Sequence, residues 1–188
     1  DSRCDRHPRP RAEAALLAGD WGDSFKTKRS VREDLALFVP ATLELLLAGF
    51  TLALAIGVPL GVAAGMRAGG VLDHSISILA ILGASAPVFA LALLLQQLFA
   101  GHQHWLPLGG RLDAGVSMAH PVAQYSGFLL LDAALTGNWL AWRDAAAHLI
   151  LPAVVVAIYP LCLILRMTRS ALAAELHAPY ILVARAKG

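Results

Sequence analysis

The chain is poor in charged residues and in cysteine. Only 15% of its 188 residues are Asp, Glu, Lys or Arg, whereas 57% are hydrophobic. The formal net charge of +2 at pH 7 is too small to indicate nucleic-acid binding. The two cysteines, Cys4 in a polar stretch and Cys162 in an apolar one, predict neither a disulfide nor a redox function. A secretory signal pattern is also missing.

The sequence lacks the motifs that bind nucleotides, activate nucleophiles or hold zinc. It contains no glycine-rich phosphate loop, no nucleophile elbow and no zinc-ligand spacing. His102 and His104 suggest a metal, but no cysteine or carboxylate lies beside them, so we favour surface histidines. We therefore predict no catalytic site, no metal and no cofactor, and we expect a partner to supply any energy that the function needs.

The hydrophobic residues are gathered into long apolar segments. Residues 45–66 carry no charge over 22 positions, which as a helix covers on the order of 33 Å, enough to cross a bilayer. The sequence predicts spans at about 42–66, 75–100 and 145–165, after a polar segment at 1–39 and with a long loop at 101–144. The predicted fold class is an all-α, polytopic transmembrane helical bundle.

Small residues recur at every fourth position of the first span. They are Gly49, Ala53, Gly57, Gly61 and Gly65. On a helix they form one ridge, which lets a second helix approach closely. We interpret Gly57, Gly61 and Gly65 as a helix-packing surface, although glycine is common in membrane helices in general.

The second span carries Ser85, Ala86 and Pro87 near its middle. Proline removes a backbone donor and bends a helix, and such a break is tolerated at membrane depth where it faces protein or a water-filled cavity. Two interpretations stay open for Ser85 and Pro87: a static kink, or a pathway lining that changes shape.

Polar residues near the span ends also have two interpretations. Glu44 is either an intramembrane functional carboxylate or, as we favour, an interfacial residue stabilised by the helix dipole. Arg166 and Arg169 either contact a partner or, as we favour, anchor the third helix at lipid headgroups. His148 is expected at the membrane interface.

Seven short motifs along the chain carry a family resemblance. They lie at 19–25 (GDWGDSF), 37–45 (LFVPATLEL), 56–61 (IGVPLG), 105–110 (WLPLGG), 148–153 (HLILPA), 166–170 (RMTRS) and 180–188 (YILVARAKG). In this order they resemble the B-type permease subunit of the dipeptide/oligopeptide/nickel ABC importer family, over roughly residues 11–188. Pro179 and Leu182 depart from the family pattern, which usually has an acidic and a basic residue there.

The resemblance implies three spans of a six-helix permease fold in a bacterial inner membrane, so the chain looks like a fragment. Residues 170–188 would begin the loop that couples the permease to its ATPase. The coupling residues would be Tyr180, Val183, Ala184, Arg185, Ala186, Lys187 and Gly188. The implied partners are a second permease subunit, cytoplasmic ATP-binding subunits, a periplasmic substrate-binding protein and the lipid bilayer.

The implied function is import of a peptide or a nickel chelate by alternating access, with the permease itself not an enzyme. The alternative is a non-transporting membrane assembly or sensor subunit that binds a partner through loop 101–144. Downstream sequence with a completed coupling loop and two more spans would separate the two.

Charge and resemblance disagree on the orientation of the chain. Ten Lys and Arg residues lie in the N-terminal segment and the long loop, against five in the 67–74 turn and the 166–188 tail. The positive-inside rule would place the tail outside, whereas the resemblance places it in the cytoplasm. We follow the resemblance and expect the tail to be cytoplasmic.

Overall fold

Two long parallel helices form the centre of the protein. The computed structural model describes residues 21–176, 178, 180 and 181. Helix α1 is Val31–Met66, with 36 residues, and helix α6 is Trp139–Leu176, with 38 residues. They run in the same direction, because Gly49 near the start of their contact lies against Val156, and Gly65 near its end lies against Leu172.

Helix α1 begins at Val31, well before the predicted start at residue 42. The Ser30 side chain accepts a hydrogen bond from the Glu33 backbone N–H at 3.2 Å, and acidic residues in the first turn suit the positive end of the helix dipole. Pro40 therefore lies inside the helix, beyond its first turn. After α1 ends, Gly69 has a φ of +80°, a conformation that glycine adopts without strain.

The predicted second span is a broken helix. Helix α2 is Val71–Ser85 and helix α3 is Val88–Gln96, which continues as a π-helix over Gln97–His102. The two axes meet at 101°. The break falls at Ala86 and Pro87, both in extended conformation; proline has no backbone N–H to donate and disfavours the helical conformation of the residue before it.

The segment between the π-helix and α6 contains two short helices. They are α4, Ala114–Ala119, and α5, Leu129–Leu135. Helix α6 begins at Trp139, so the loop predicted at 101–144 ends earlier than expected. Pro152 and Pro160 both lie inside α6.

The described residues contain helices and no β-strand, which confirms the all-α class. By length and composition, α1 and α6 are each able to cross a membrane, and the broken α2–α3 pair makes a third span if it is counted as one. Buried apolar residues are mostly alanines, such as Ala53 and Ala64, whereas large ones such as Leu47 and Leu79 are exposed. An apolar exterior of this extent indicates a surface that faces lipid or other helices rather than water.

Candidate functional site

The small-residue ridge of α1 lies directly on the backbone of α6. A Cβ added at Gly57 would lie 3.1 Å from the Leu161 carbonyl oxygen. At Gly61 it would lie 2.7 Å from the Thr168 Cβ and 2.8 Å from the Leu165 oxygen, closer than real Cβ atoms come. The helices are therefore in backbone contact, the packing mode that stabilises membrane helix pairs.

Gly65 continues this contact toward the end of α1. A Cβ there would lie 3.0 Å from the Leu172 Cβ and 3.1 Å from the Arg169 carbonyl oxygen. The spacing is tight, but less so than at Gly61. The ridge thus brings the end of α1 beside the last turns of α6, where two basic side chains lie.

Arg169 forms an intramolecular ion pair with Asp73, the first-turn acid of α2. Its Nε and Nη2 donate to the two carboxylate oxygens of Asp73, the Nη2 bond being 2.7 Å long. Asp73 is buried and also accepts from the Gly69 backbone N–H at 2.9 Å. A two-pronged arginine–carboxylate contact fixes orientation as well as charge. It ties the α1–α2 turn to α6.

This ion pair gives Arg169 an intramolecular partner, which neither interpretation drawn from the sequence included. Its Nε and Nη2 donate to Asp73, while a third of the side chain stays exposed. Sequence reasoning did not single out Asp73. Its position gave a reason to do so, because a carboxylate at the start of an apolar, membrane-spanning helix is stabilised by a cationic partner.

Glu44 forms a second ion pair near the other end of the α1–α6 contact. Its Oε2 accepts from Arg111 Nη2 at 2.7 Å, and its Oε1 accepts from the Leu130 backbone N–H at 2.7 Å. Because α1 begins at Val31, Glu44 lies beyond its first turn, and the helix-dipole explanation for it is wrong. Glu44 instead joins α1 to the loop through Arg111 and to α5 through Leu130.

His148 is buried, with 8% of its surface exposed. Its Nδ1 lies 2.9 Å from the Asp144 backbone oxygen, one helical turn earlier in α6. A carbonyl can only accept, so Nδ1 carries the proton of this contact. The remaining ring nitrogen, Nε2, is left for another group.

Asp132 in α5 organises the loop before it. The carboxylate accepts from the backbone N–H groups of Tyr125, Ser126 and Gly127 and from the Ser126 hydroxyl, at 2.7 to 3.2 Å. Burial disfavours the charged form, but the hydrogen bonds from these residues outweigh it and hold the pKa of Asp132 below its usual value. Asp132 is a structural residue that sequence reasoning missed.

Ser85 and Pro87 lie at the α2–α3 break, Ser85 as the last residue of α2 and Pro87 as the residue before α3. Both are exposed. His102 ends the π-helix and His104 has a φ of +52°. Within the described part of the chain, no group of three or more metal-binding side chains forms.

Only the first of the predicted coupling residues can be placed. Tyr180 follows the end of α6, and its hydroxyl donates to the Glu175 carboxylate. This bond raises the pKa of Tyr180. The other predicted coupling residues, Val183, Ala184, Arg185, Ala186, Lys187 and Gly188, lie outside the described residues.

Comparison with known proteins identifies the family. Residues 57–188 match the family described as binding-protein-dependent transport system inner membrane component. The chain is 45% identical over 173 residues to a probable D,D-dipeptide transport system permease protein of Escherichia coli (strain K12). It is 38% identical over 173 residues to a di/tripeptide transport system permease protein of Pseudomonas aeruginosa (strain UCBPP-PA14). These alignments cover 92% of the chain and 50% of each relative.

A peptide transport system permease protein of Salmonella typhimurium (strain LT2) is 34% identical over 178 residues, covering 92% of the chain and 54% of the relative. The chain belongs to the family of binding-protein-dependent transport system inner membrane components, which confirms the resemblance drawn from its motifs. It is a multi-pass protein of the bacterial inner membrane. The chain spans about half the length of the curated relatives it matches.

Proposed function

We propose that the protein is the permease subunit of an ATP-driven peptide importer and forms part of its translocation pathway. The observation that carries this proposal is the similarity to peptide permeases across 92% of the chain. The long loop and its two short helices give no separate support to an assembly or sensor role. Peptide is favoured over a nickel chelate because the relatives named above are all peptide systems.

The proposed partners are cytoplasmic ATP-binding subunits, a periplasmic substrate-binding protein and a second permease subunit. The sequence contains no glycine-rich phosphate loop, and in the proposed complex ATP hydrolysis is the role of the ATP-binding subunits. The coupling contact is proposed for Tyr180 and residues 183–188. The Asp73–Arg169 ion pair supports this, because it holds the end of α6 rigidly to the α1–α2 turn just before that segment.

The test uses the full-length gene, expressed with the genes of its proposed partners. Uptake of a labelled dipeptide should require ATP, and a photo-cross-linker at residue 183 should reach the ATP-binding subunit. Gly188→Val should leave membrane insertion intact and uncouple ATP hydrolysis from uptake. Efficient uptake with no cross-link from any position between 180 and 187 would remove the coupling assignment. Absence of peptide uptake by the assembled complex would remove the importer itself.

A further inference from the structure

A cavity lies between α1, α5 and the first turns of α6, on the side of the bundle where the long loop folds back. Its volume is about 300 Å³. Most of its lining is apolar, including Phe38, Leu45 and Leu149, and three ionisable side chains complete it: Glu44, Arg111 and His148. Pockets for small ligands have this composition, with a few polar groups set in an apolar wall.

Arg111, which lines this cavity, has N–H donors that are not hydrogen-bonded to other described residues. Its Nη2 donates to Glu44 and, at 3.3 Å, to the Gly127 carbonyl. Its Nε and Nη1 have no partner among the residues that the structure describes. Glu44, by contrast, uses both of its oxygens, one for Arg111 and one for Leu130. Glu44 therefore orients the guanidinium, and Arg111 keeps separate N–H donors on Nε and Nη1, each of which suits a single carboxylate oxygen.

His148 supplies acceptors to the same cavity. Nδ1 faces the Asp144 carbonyl at 2.9 Å and the Asp144 carboxylate at 3.5 Å, so Nε2 is the ring nitrogen left over, and in the tautomer with the proton on Nδ1 it is an acceptor. Pro152 lies four residues later and has no N–H, so the His148 carbonyl lacks the donor that an α-helix would normally provide. An ammonium group is a suitable donor to both acceptors.

We infer that this cavity is a binding site for a small zwitterionic peptide, with the peptide carboxylate on Arg111 and its ammonium group at His148. The inference rests on the proposed import function and assigns a subsite to it. Glu44 adds negative charge beside Arg111, so a ligand with one charge of each sign matches the site better than an anion alone. The apolar wall would take small side chains.

The experiment is ligand protection of a cysteine in the cavity wall. Thr42 lines the cavity and is exposed, so Thr42→Cys gives a labelling site in the full-length, assembled complex once Cys4→Ser and Cys162→Ala have removed the two native thiols of this chain. Its maleimide labelling rate is measured with alanyl-alanine, with alanyl-alanine amide and with N-acetyl-alanyl-alanine. We expect protection by the free dipeptide and little by either blocked form. Arg111→Gln should raise the protecting concentration about tenfold.

Arg143→Gln is the matched control, because Arg143 is an exposed arginine near the start of α6 that lies outside the cavity lining. It should leave protection unchanged. Equal protection by free and amidated dipeptide, or a cysteine that no reagent reaches, would overturn the assignment. The ligand comparison on the Thr42→Cys protein remains decisive if Arg111→Gln fails to assemble. Dipeptide uptake is measured in the same preparation: uptake without protection removes this site alone, whereas loss of uptake in the parent complex removes the proposed function.

Discussion

The two ends of the α1–α6 contact are held by ion pairs that differ in kind. Glu44 and Gly65 are separated by about 30 Å along α1, which is the thickness of a bilayer core. Near Gly65, two nitrogens of Arg169 donate hydrogen bonds to Asp73, whose side chain is 2% exposed. Near the other end, Arg111 gives one nitrogen to Glu44, whose side chain is 11% exposed, while the two arginines are similarly exposed, at 33% and 37%.

The Asp73–Arg169 ion pair, which we call the clamp, therefore holds helices together, whereas the Glu44–Arg111 pair borders an open cavity. At the Asp73 end the helix backbones touch, both carboxylate oxygens are saturated by Arg169 and Gly69, and the bundle is closed. At the Glu44 end a cavity lies between α1, α5 and α6, and Arg111 keeps N–H donors that have no partner in the described residues. We therefore expect substitutions at the Asp73 end to change folding, and substitutions at the Glu44 end to change loop position and ligand binding.

The largest expected effect is that of Gly61→Leu. A Cβ at this position already overlaps Thr168 and the Leu165 carbonyl, so a leucine forces the two helix backbones apart. We expect loss of most folded protein in detergent, measured by size-exclusion yield and thermal unfolding. Gly49→Leu is the comparison, because its nearest contacts are looser, at 3.1 Å and 3.2 Å. Equal yields for Gly61→Leu and the parent would show that the contact is not required for assembly.

The next largest effect is expected for the clamp itself. Arg169→Gln leaves the Asp73 carboxylate buried without its cation, which is strongly destabilising in an apolar setting. We expect a lower melting temperature, and partial recovery in the double charge exchange Asp73→Arg with Arg169→Asp. Arg166→Gln is the control from the same helix end, since no ion pair involves Arg166 in the described residues. A melting temperature unchanged by Arg169→Gln would remove the distinction between the two ends.

A smaller effect is expected for Glu44→Gln. The amide is similar in shape but loses the charge-assisted bond from Arg111. Because Arg111 is partly exposed, we expect the free energy of unfolding to fall by only about 1 kcal/mol. The melting temperature should change little, while proteolysis of loop 101–144 should become faster. A melting-temperature loss as large as that of Arg169→Gln would contradict the comparison.

The helical class could be predicted from the sequence, because apolar helices depend on local patterns of residues, whereas the helix that the small-residue ridge of α1 lies against, α6, could not. The sequence predicted neither ion pair. Asp73 and Arg169 lie 96 positions apart, and Glu44 and Arg111 lie 67 apart, so only the packing of α2 and the loop on the long helices brings them together. The second span was predicted as one segment, and Pro87 marked its break without giving the 101° angle, which depends on tertiary contacts.

The smallest effect is expected at Asp132, where pH provides the test. Its folded pKa lies below the unfolded value near 3.9, so the carboxylate stabilises the loop above that pH. This contribution should be lost as the pH falls through the lower, folded pKa. Below about pH 4, hydrogen exchange at the Ser126 and Gly127 amides should therefore become faster than the intrinsic pH dependence of exchange predicts, because the loop opens.

Asp132→Asn should remove that pH dependence, because an amide does not titrate, and should open the loop at neutral pH. Asp113→Asn is the control: it changes the carboxylate that caps α4 and should leave these two amides unaffected. If the amides of Ser126 and Gly127 open equally at pH 7 and pH 3 in the parent protein, Asp132 does not hold this end of the bundle by its charge.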